Sequence, residues 1–329
     1  MKQPSWDIIG KRKWGYLFSL LVIIPGIIAL SVNGLNLGVD FTGGTFLDLR
    51  LEKDFTTGQV RQIFDRFGLG RSIIQKGAGR DLSIRTRFLS EEERVKILQA
   101  LRQEFGEVTV LRADEVGPRI GRELRNIAIL GVAIGLLLQV VYISYRFKSV
   151  RFAVAADIAL LHDILVVLAA FSLTRKEVNS SFVAVLLTVV GYSINDTIVL
   201  FDRIRENLAM RAREPFDRLV NRSILEALVR SLNTSITTIL AIGAVYFFGG
   251  TTIRDFAFGL MVGIATGAYS SIFTASPLLV DWHLWAQRRK VKPVEARLPA
   301  VGPSPVPATA SPATSPGGQP PRKHKKRRK

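Results

Sequence analysis

Four ionisable residues lie inside apolar stretches that are long enough to cross a membrane. Asp157, His162 and Asp163 fall in one stretch, and Asp196 falls in the next, within GYSINDTIVLF. A charged side chain deep in a bilayer is costly and marks a functional site by default. At about 1.5 Å of rise per residue, His162 and Asp163 lie near the middle of their stretch. Asp157 and Asp196 lie at a shared shallower depth, about five residues from the ends of helices that run in opposite directions.

Asp196 is the leading candidate for a group that binds and releases a proton. Its side chain is too short to reach water at the membrane surface, so it requires a polar partner, a proton or water. Arg230 precedes the fifth apolar stretch and is long enough to reach inward. Burial favours a protonated carboxyl and a nearby guanidinium favours an ionised one, so a small helix movement would switch the charge of Asp196. Other polar side chains at that level are Asn195, Asn233, Thr234, Thr237 and Thr238.

The same residues also fit a purely structural role. An intramembrane carboxylate can form a fixed hydrogen bond or ion pair between helices. This alternative has more weight for Asp157 and for the His162/Asp163 pair than for Asp196, since His162 could donate to a backbone carbonyl. A catalytic His–Asp pair would require a nucleophile at a usable spacing, and the sequence offers none. No enzymatic activity is therefore predicted.

A helical bundle embedded in a membrane must position these residues. The chain has 329 residues, 48% of them hydrophobic, and a mean hydropathy of +0.24. These values are too apolar for a soluble protein of this length. A span requires about 20 apolar residues, and six stretches qualify: 15–32, 126–145, 152–173, 180–201, 233–248 and 256–280. The first is predicted to be a retained helix because no small-residue cleavage site follows it.

Positive charge predicts which side of the membrane each connection faces. Lys and Arg are concentrated in residues 1–14, in RFKSVR after the second stretch, in the segment after the fourth, and in the tail. The short connections on the opposite side carry only Arg175, Lys176 and Arg254. Since cytoplasmic loops carry an excess of Lys and Arg, both termini are predicted to be cytoplasmic, in a cell inner membrane. The tail, 283–329, holds much of the net charge of +18, and its Pro-rich composition from about residue 294 predicts disorder.

The long segment between the first two spans, 33–125, is predicted to be a folded domain outside the cytoplasm, followed by the five remaining spans over 126–282. TFLDLRL alternates like a strand, and a helix follows with Thr56 or Thr57 as its N-cap. Two strands flank a Gly-Ala-Gly turn, and a second helix begins with Ser90 and Glu93 as a capping box. EVTVLRADEV is the last strand. The resulting β-α-β-β-α-β order predicts a ferredoxin-like α/β domain.

Several kinds of site are excluded or disfavoured by composition and motif. The chain has no cysteine, which excludes disulfides and thiolate metal sites. GVDFTGG at 38–44 lacks the Lys-Ser/Thr pair and following helix of a phosphate loop, and its glycines are predicted to make a tight turn into a strand. No cofactor or metal is predicted. Gly259, Gly263 and Gly267 recur at the spacing of a close helix contact in the sixth stretch.

Four segments together resemble the SecD/SecF proteins of the resistance-nodulation-division superfamily. They are LGVDFTGGT after the first span, VGPRIGREL before the second, LHDILVVL in the third and GYSINDTIVLFDRIREN in the fourth. The small single outer domain and the SINDTIVLFDRIREN motif are similar to the SecF branch of that family. The resemblance covers about residues 13–282, and only the basic tail departs from it.

The resemblance implies a role in completing preprotein export, driven by the proton motive force. It implies a complex with SecD, the SecYEG channel and YajC, acting on unfolded preprotein clients beside membrane lipids, with no specific nucleic acid. The proton-linked Asp of the family falls on Asp196 and its Arg partner on Arg230. Relatives with two repeats have twelve spans, so a six-span half is expected to pack against a partner of the same fold.

Two other functions remain open from the sequence. The chain could be half of a proton-driven small-molecule efflux pump of the same superfamily, although an outer domain of about ninety residues is small for binding and funnelling substrate. It could also be a passive scaffold of the channel complex. The behaviour of Asp196 distinguishes a scaffold from a proton-driven subunit.

Overall fold

The computed structural model describes residues 6–77, 79–210 and 213–291. Its helices are α1 (Arg12–Asn33), α2 (Val39–Thr42), α3 (Thr57–Arg66), α4 (Glu91–Phe105), α5 (Pro118–Phe147), α6 (Val150–Thr174), α7 (Ser180–Met210), α8 (Phe216–Phe248), α9 (Thr251–Ser270), a π-helical turn (Ser271–Ala275) and α10 (Ser276–Val291). Its strands are β1 (Asn36–Leu37), β2 (Gly44–Leu51), β3 (Ile73–Lys76), β4 (Asp81–Thr86), β5 (Val108–Val116) and β6 (Glu177–Val178). The predicted tail lies outside the described residues, apart from the end of α10.

Six helical segments within the described residues are long and apolar enough to cross a membrane. They are α1, α5, α6, α7, α8 and the continuous run of α9, the π turn and α10. The chain up to residue 286 forms one compact unit, and the described residues beyond it are the last turn of α10. This agrees with the six spans predicted from hydropathy.

The arginine-rich segment between the fourth and fifth predicted spans is not an irregular loop. α7 continues to Met210 and α8 already begins at Phe216, so most of the arginine-rich connection is helical. Hydropathy detects only the apolar part of a helix, and these extensions are polar. Ion pairs hold them together, since Arg203 contacts Glu206 on its own helix at 2.6 Å and Glu226 on α8 at 2.7 Å.

The helices approach one another closely where glycines face a neighbour. A Cβ added at Gly263 of α9 would lie 2.1 Å from Cγ2 of Val189 on α7, and one added at Gly259 would lie 2.7 Å from Val185. α1 and α6 meet in the same way, at Gly26. These contacts confirm that the predicted glycine spacing serves packing within the chain, because small residues let helix backbones approach.

The segment between α1 and α5 contains a four-stranded antiparallel sheet in the order β3-β4-β2-β5. Its elements follow in the order β-α-β-β-α-β from β2 to β5. Thr56 caps α3 and Ser90 caps α4, each through a complete capping box. Leu47, Leu82 and other buried side chains of the sheet pack with those of α3 and α4 in one apolar core. A β-bulge lies between Asp48 and Leu49, against β5.

The two glycines that precede β2 are required by close backbone contacts. Gly43 and Gly44 both have positive φ, at 73° and 129°. A Cβ at Gly44 would lie 2.4 Å from the carbonyl oxygen of Thr86, and one at Gly43 would lie 2.7 Å from Cα of Pro118. The glycine pair therefore makes the tight turn that the sequence predicted, where the start of β2 meets β4 and α5.

A polar junction joins the sheet to the connection between α6 and α7. β1 pairs in parallel with β6, and Arg85 of β4 lies 3.2 Å from Glu177 of β6. Arg85 also donates to the side chain of Asn36 at 2.8 Å. Burial raises the pKa of Glu177, and the positive charges of Arg85 and Arg112 oppose that rise. On the other side of β6, Lys176 contacts Asp255 at 2.6 Å.

Candidate functional site

Asp163 is fully buried at the centre of the bundle and is held by hydrogen bonds from three side chains. Its Oδ1 lies 3.0 Å from Nδ1 of His162, the preceding residue on α6. Its Oδ2 accepts from Ser193 of α7 and from Ser270 of α9, the latter at 2.8 Å. A buried carboxylate is costly unless its oxygens accept hydrogen bonds. Three helices therefore supply the polar groups that Asp163 requires.

A chain of hydrogen bonds leads from Asp163 toward α1. Nε2 of His162 lies 3.1 Å from the hydroxyl of Ser19, and this hydroxyl lies 3.2 Å from the phenol oxygen of Tyr269. Tyr269 donates to the backbone oxygen of Gly15 at 2.7 Å. Tyr269 uses its only proton for Gly15, so Ser19 must donate to Tyr269 and accept from Nε2 of His162 for the chain to be continuous. The His162/Asp163 pair is thus joined to α1 and α9 rather than isolated on α6.

Asp196 is the second buried carboxyl, and it also accepts from serine hydroxyls. Ser231 of α8 lies 2.7 Å from both carboxyl oxygens, and Ser271 of the π turn lies 2.7 Å from Oδ2. The side chain is 9% exposed. Neutral donors from two helices hold it, and such donors can hydrogen-bond either an ionised or a protonated carboxyl.

Arg230 does not contact Asp196 in this conformation. In the part of the chain that the structure describes, no ion pair joins the two side chains, and Ser231 takes the place that was expected for Arg230. Arg230 is exposed and lines a cavity of about 710 Å³ between α7 and α8. Asp202 and Glu226 lie on the walls of that cavity. The pairing of Asp196 with Arg230 stays a prediction.

The remaining predicted residues lie around these two carboxyls without joining them. Asp157 is half-buried, and within the described residues its buried Oδ1 has no hydrogen-bond partner. Asn195 and Asn233 are exposed. Thr237 donates to carbonyls of its own helix, at 2.8 Å to that of Asn233. These groups form a polar surface rather than part of the buried site.

Serines are the site residues that the sequence analysis missed. Five of them contact the buried network: Ser19, Ser193, Ser231, Ser270 and Ser271. A serine in a span carries no charge and little hydropathy penalty, so a search for intramembrane charges passes over it. The signal available in the sequence was the pair of adjacent serines inside the last apolar stretch.

The fold and site define an integral membrane protein whose helical bundle encloses hydrogen-bonded carboxyl groups. Residues 96–285 match the family described as protein export membrane protein SecD/SecF, C-terminal. Residues 28–54 match the SecD/SecF GG motif, which contains the glycine pair before β2.

Named proteins agree with the family matches. The protein translocase subunit SecF of Thermobaculum terrenum is 44% identical over 84% of this chain and 93% of its own length. That of Anaerolinea thermophila is 38% identical over 88% of this chain and 99% of its own length.

A solved structure has the same fold. The crystal structure of SecDF, a translocon-associated membrane protein from Thermus thermophilus, matches with a TM-score of 0.79 and 38% identity. The match covers 85% of this chain, and this chain spans 39% of the SecDF chain. The chain belongs to the SecD/SecF family, and it is of the SecF type, a protein translocase subunit.

Proposed function

We propose that the chain uses the proton motive force to assist and complete preprotein translocation, with Asp196 as the main proton-binding group. One observation carries this proposal: Asp196 is buried at a helix junction and is held only by hydroxyl donors among its observed hydrogen bonds. A carboxyl in such a setting can be neutral or ionised, and its charge then determines which neighbours it attracts.

Arg230 is the group that we expect to respond to the charge of Asp196. It immediately precedes Ser231 on α8 and lies on the wall of the cavity beside α7. An ionised Asp196 would attract the guanidinium inward, and a protonated one would release it toward Asp202 and Glu226. Asp157 and Asp163 are the further carboxyls through which we expect protons to pass. A charge that crosses a potential of 100 mV supplies about 2.3 kcal/mol, which is sufficient to bias such a two-state movement.

We further propose that SecD covers the exposed polar surface of this bundle. Asn195, Arg230, Asn233 and Thr237 are all exposed on α7 and α8. Unsatisfied polar groups are costly in lipid, so a partner protein or water must face them. The similarity to SecDF, in which this fold is part of a longer chain, supports a SecD-like partner. By the same resemblance we expect contact with SecYEG, with YajC and with unfolded preprotein.

The sheet and its two helices are proposed to form a ferredoxin-like domain on the extracytoplasmic side. The strand order β3-β4-β2-β5 with the split β-α-β pattern supports that class. The distribution of Lys and Arg supports cytoplasmic termini in the inner membrane. We propose no covalent chemistry for any of these groups, and no cofactor.

Export into membrane vesicles under an imposed proton gradient tests the proposal. We expect Asp196→Asn to abolish the stimulation by the gradient, because the amide cannot bind and release a proton. Asp217→Asn, in the first turn of α8, is the matched control and should leave the stimulation intact. Full stimulation with Asp196→Asn would instead establish a passive scaffold. Gradient-driven loss of small hydrophobic cations from the same vesicles would indicate an efflux pump.

A further inference from the structure

Two adjacent serines connect the two buried carboxyls of the bundle. Ser270, the last residue of α9, donates to Oδ2 of Asp163 at 2.8 Å. Ser271, the first residue of the π turn, donates to Oδ2 of Asp196 at 2.7 Å. Consecutive side chains on a helix point about 100° apart. The pair can therefore contact α6 and α7 at once, and both serines are fully buried.

Both hydroxyls also lie near the same alternative acceptor. The carbonyl oxygen of Gly267 is 2.9 Å from Oγ of Ser271 and 3.3 Å from Oγ of Ser270. This oxygen already accepts the backbone N–H of Ser271. A carbonyl has two lone pairs, so one remains for a hydroxyl. The two serines therefore compete for the Gly267 oxygen, and the carbonyl of Ala268, at 3.3 Å from Oγ of Ser271, is a longer alternative for Ser271 alone.

We infer that Ser270 and Ser271 are positioning residues through which protonation of Asp163 opposes protonation of Asp196, and the reverse. A proton that binds Asp196 makes its carboxyl a weaker acceptor, and the hydroxyl of Ser271 then shifts toward the Gly267 oxygen. With that acceptor occupied, Ser270 continues to donate to Asp163 and stabilises its ionised form. The reverse holds when Asp163 is protonated. Each serine keeps its own proton throughout, and the bound proton comes from solvent.

The two serines lie where α9 ends and the π turn begins. The π turn widens the helix at Ser271–Ala275, and the hydroxyl of Ser276 donates to the carbonyl of Ser271 at 2.9 Å. π turns inside α-helices are frequent at functional sites.

Ionisable groups on the helices packed against the pair must be kept constant in any test. They are Asp157 and His162 on α6, Arg230 on α8, Tyr269 on α9, and Tyr16 on α1 with its partner Asp281 on α10. Such opposition would favour an order in the proposed transport cycle, because a proton on one carboxyl would weaken proton binding by the other. The consequence for export rests on the proposed function, whereas the coupling between Asp163 and Asp196 does not.

Infrared titration of the two carboxyls tests the coupling without any transport assay. The full-length chain is purified with the subunits that accompany it, reconstituted in lipid vesicles, and titrated while the carboxyl C=O bands are recorded. Difference spectra against Asp163→Asn and Asp196→Asn assign the two bands. Ser270→Ala frees the Gly267 carbonyl for Ser271, so Asp196 should become protonated at a pH higher by about half to one pH unit.

Ser193→Ala is the matched control for Ser270→Ala. It removes another hydroxyl from the same oxygen of Asp163 but does not touch the Gly267 carbonyl. Asp196 should therefore titrate in this variant at its original pH or a lower one. Ser270→Thr, which keeps the hydroxyl, should restore the original titration. The reciprocal pair is Ser271→Ala and Ser231→Ala. Ser271→Ala should raise the pH at which Asp163 becomes protonated, and Ser231→Ala should not.

The outcomes separate the coupling from the proposed function. Equal effects of Ser270→Ala and Ser193→Ala on Asp196 would overturn the inference, and so would no effect of either. If Ser270→Ala does not fold, the Ser271→Ala and Ser231→Ala pair decides the question from the side of Asp163. A coupled titration together with normal export by Asp196→Asn would refute the proposed function and leave the coupling intact.

Discussion

Replacement of Gly263 by alanine should destabilise the bundle where α7 and α9 touch. The added Cβ would lie 2.1, 2.7 and 2.9 Å from three side-chain atoms of Val189. Carbon atoms in contact prefer about 3.5–4.0 Å, so one helix would have to move by about 1.5 Å. Overpacking of this kind costs roughly 1–3 kcal/mol. Alanine in a helix regains up to about 1 kcal/mol over glycine. A net loss of roughly 1–2 kcal/mol is therefore expected.

Gly191→Ala is the matched control for this prediction. Gly191 lies within α7, the helix that Gly263 of α9 faces, and a Cβ at Gly191 would meet no atom within 4 Å. This variant should be as stable as the wild type or more stable by up to about 1 kcal/mol. The two variants are compared by reversible unfolding in mixed lipid–SDS micelles, from the SDS fraction at the midpoint. Equal midpoints for the two alanine variants would refute the close contact of α7 and α9.

Two further predictions concern carboxylates outside the membrane spans. Glu177→Gln should remove a pH dependence of the β1–β6 junction, which is measured from hydrogen exchange of the Gly38 amide that donates to Val178. Because burial raises the pKa of Glu177, the wild-type junction should be tightest at low pH and should loosen as the pH rises through that pKa; an equally pH-dependent Gln variant would contradict this. Glu93→Gln should remove an acid-sensitive part of the stability of the sheet domain. Its hydrogen bonds from Arg87 and Ser90 lower the pKa of Glu93 to about 2, so its contribution is present at neutral pH and is lost as the pH falls from about 4.5 to about 2. Acid unfolding followed by fluorescence or circular dichroism should show a smaller pH response in the variant, and an unchanged response would count against the capping role.

The spans and the sheet domain could be predicted because each depends on local sequence pattern. Apolar length identified the six membrane helices, and the capping boxes at Thr56 and Ser90 are signals within one turn of chain. The helical extensions of α7 and α8 were missed because ion pairs such as Arg203–Glu226 join residues on different helices. A local average of hydropathy along the sequence cannot relate two residues that pair across different helices.

The buried site was predictable only as a set of costly residues. Asp163, His162 and Asp196 were found because a charge in a span has few explanations other than function. Their partners were not found, since which serine meets which carboxyl depends on how four helices are arranged. Arg230 illustrates the limit: its position in sequence suggested the partner of Asp196, but the next residue, Ser231, points at the carboxyl instead.

The same close packing explains why the donors at this site are serines. A Cβ at Gly267 would lie 3.0 Å from Cβ of Ser193, so α7 and α9 are nearly in backbone contact beside Asp163. Such a narrow space admits a hydroxyl but not an extended Lys or Arg side chain. A buried carboxylate that is fixed by a permanent cation would stay ionised. By excluding Lys and Arg, the glycine-lined contact leaves the charge of Asp163 to be decided by proton binding, which is the property that the proposed proton-driven cycle requires of it.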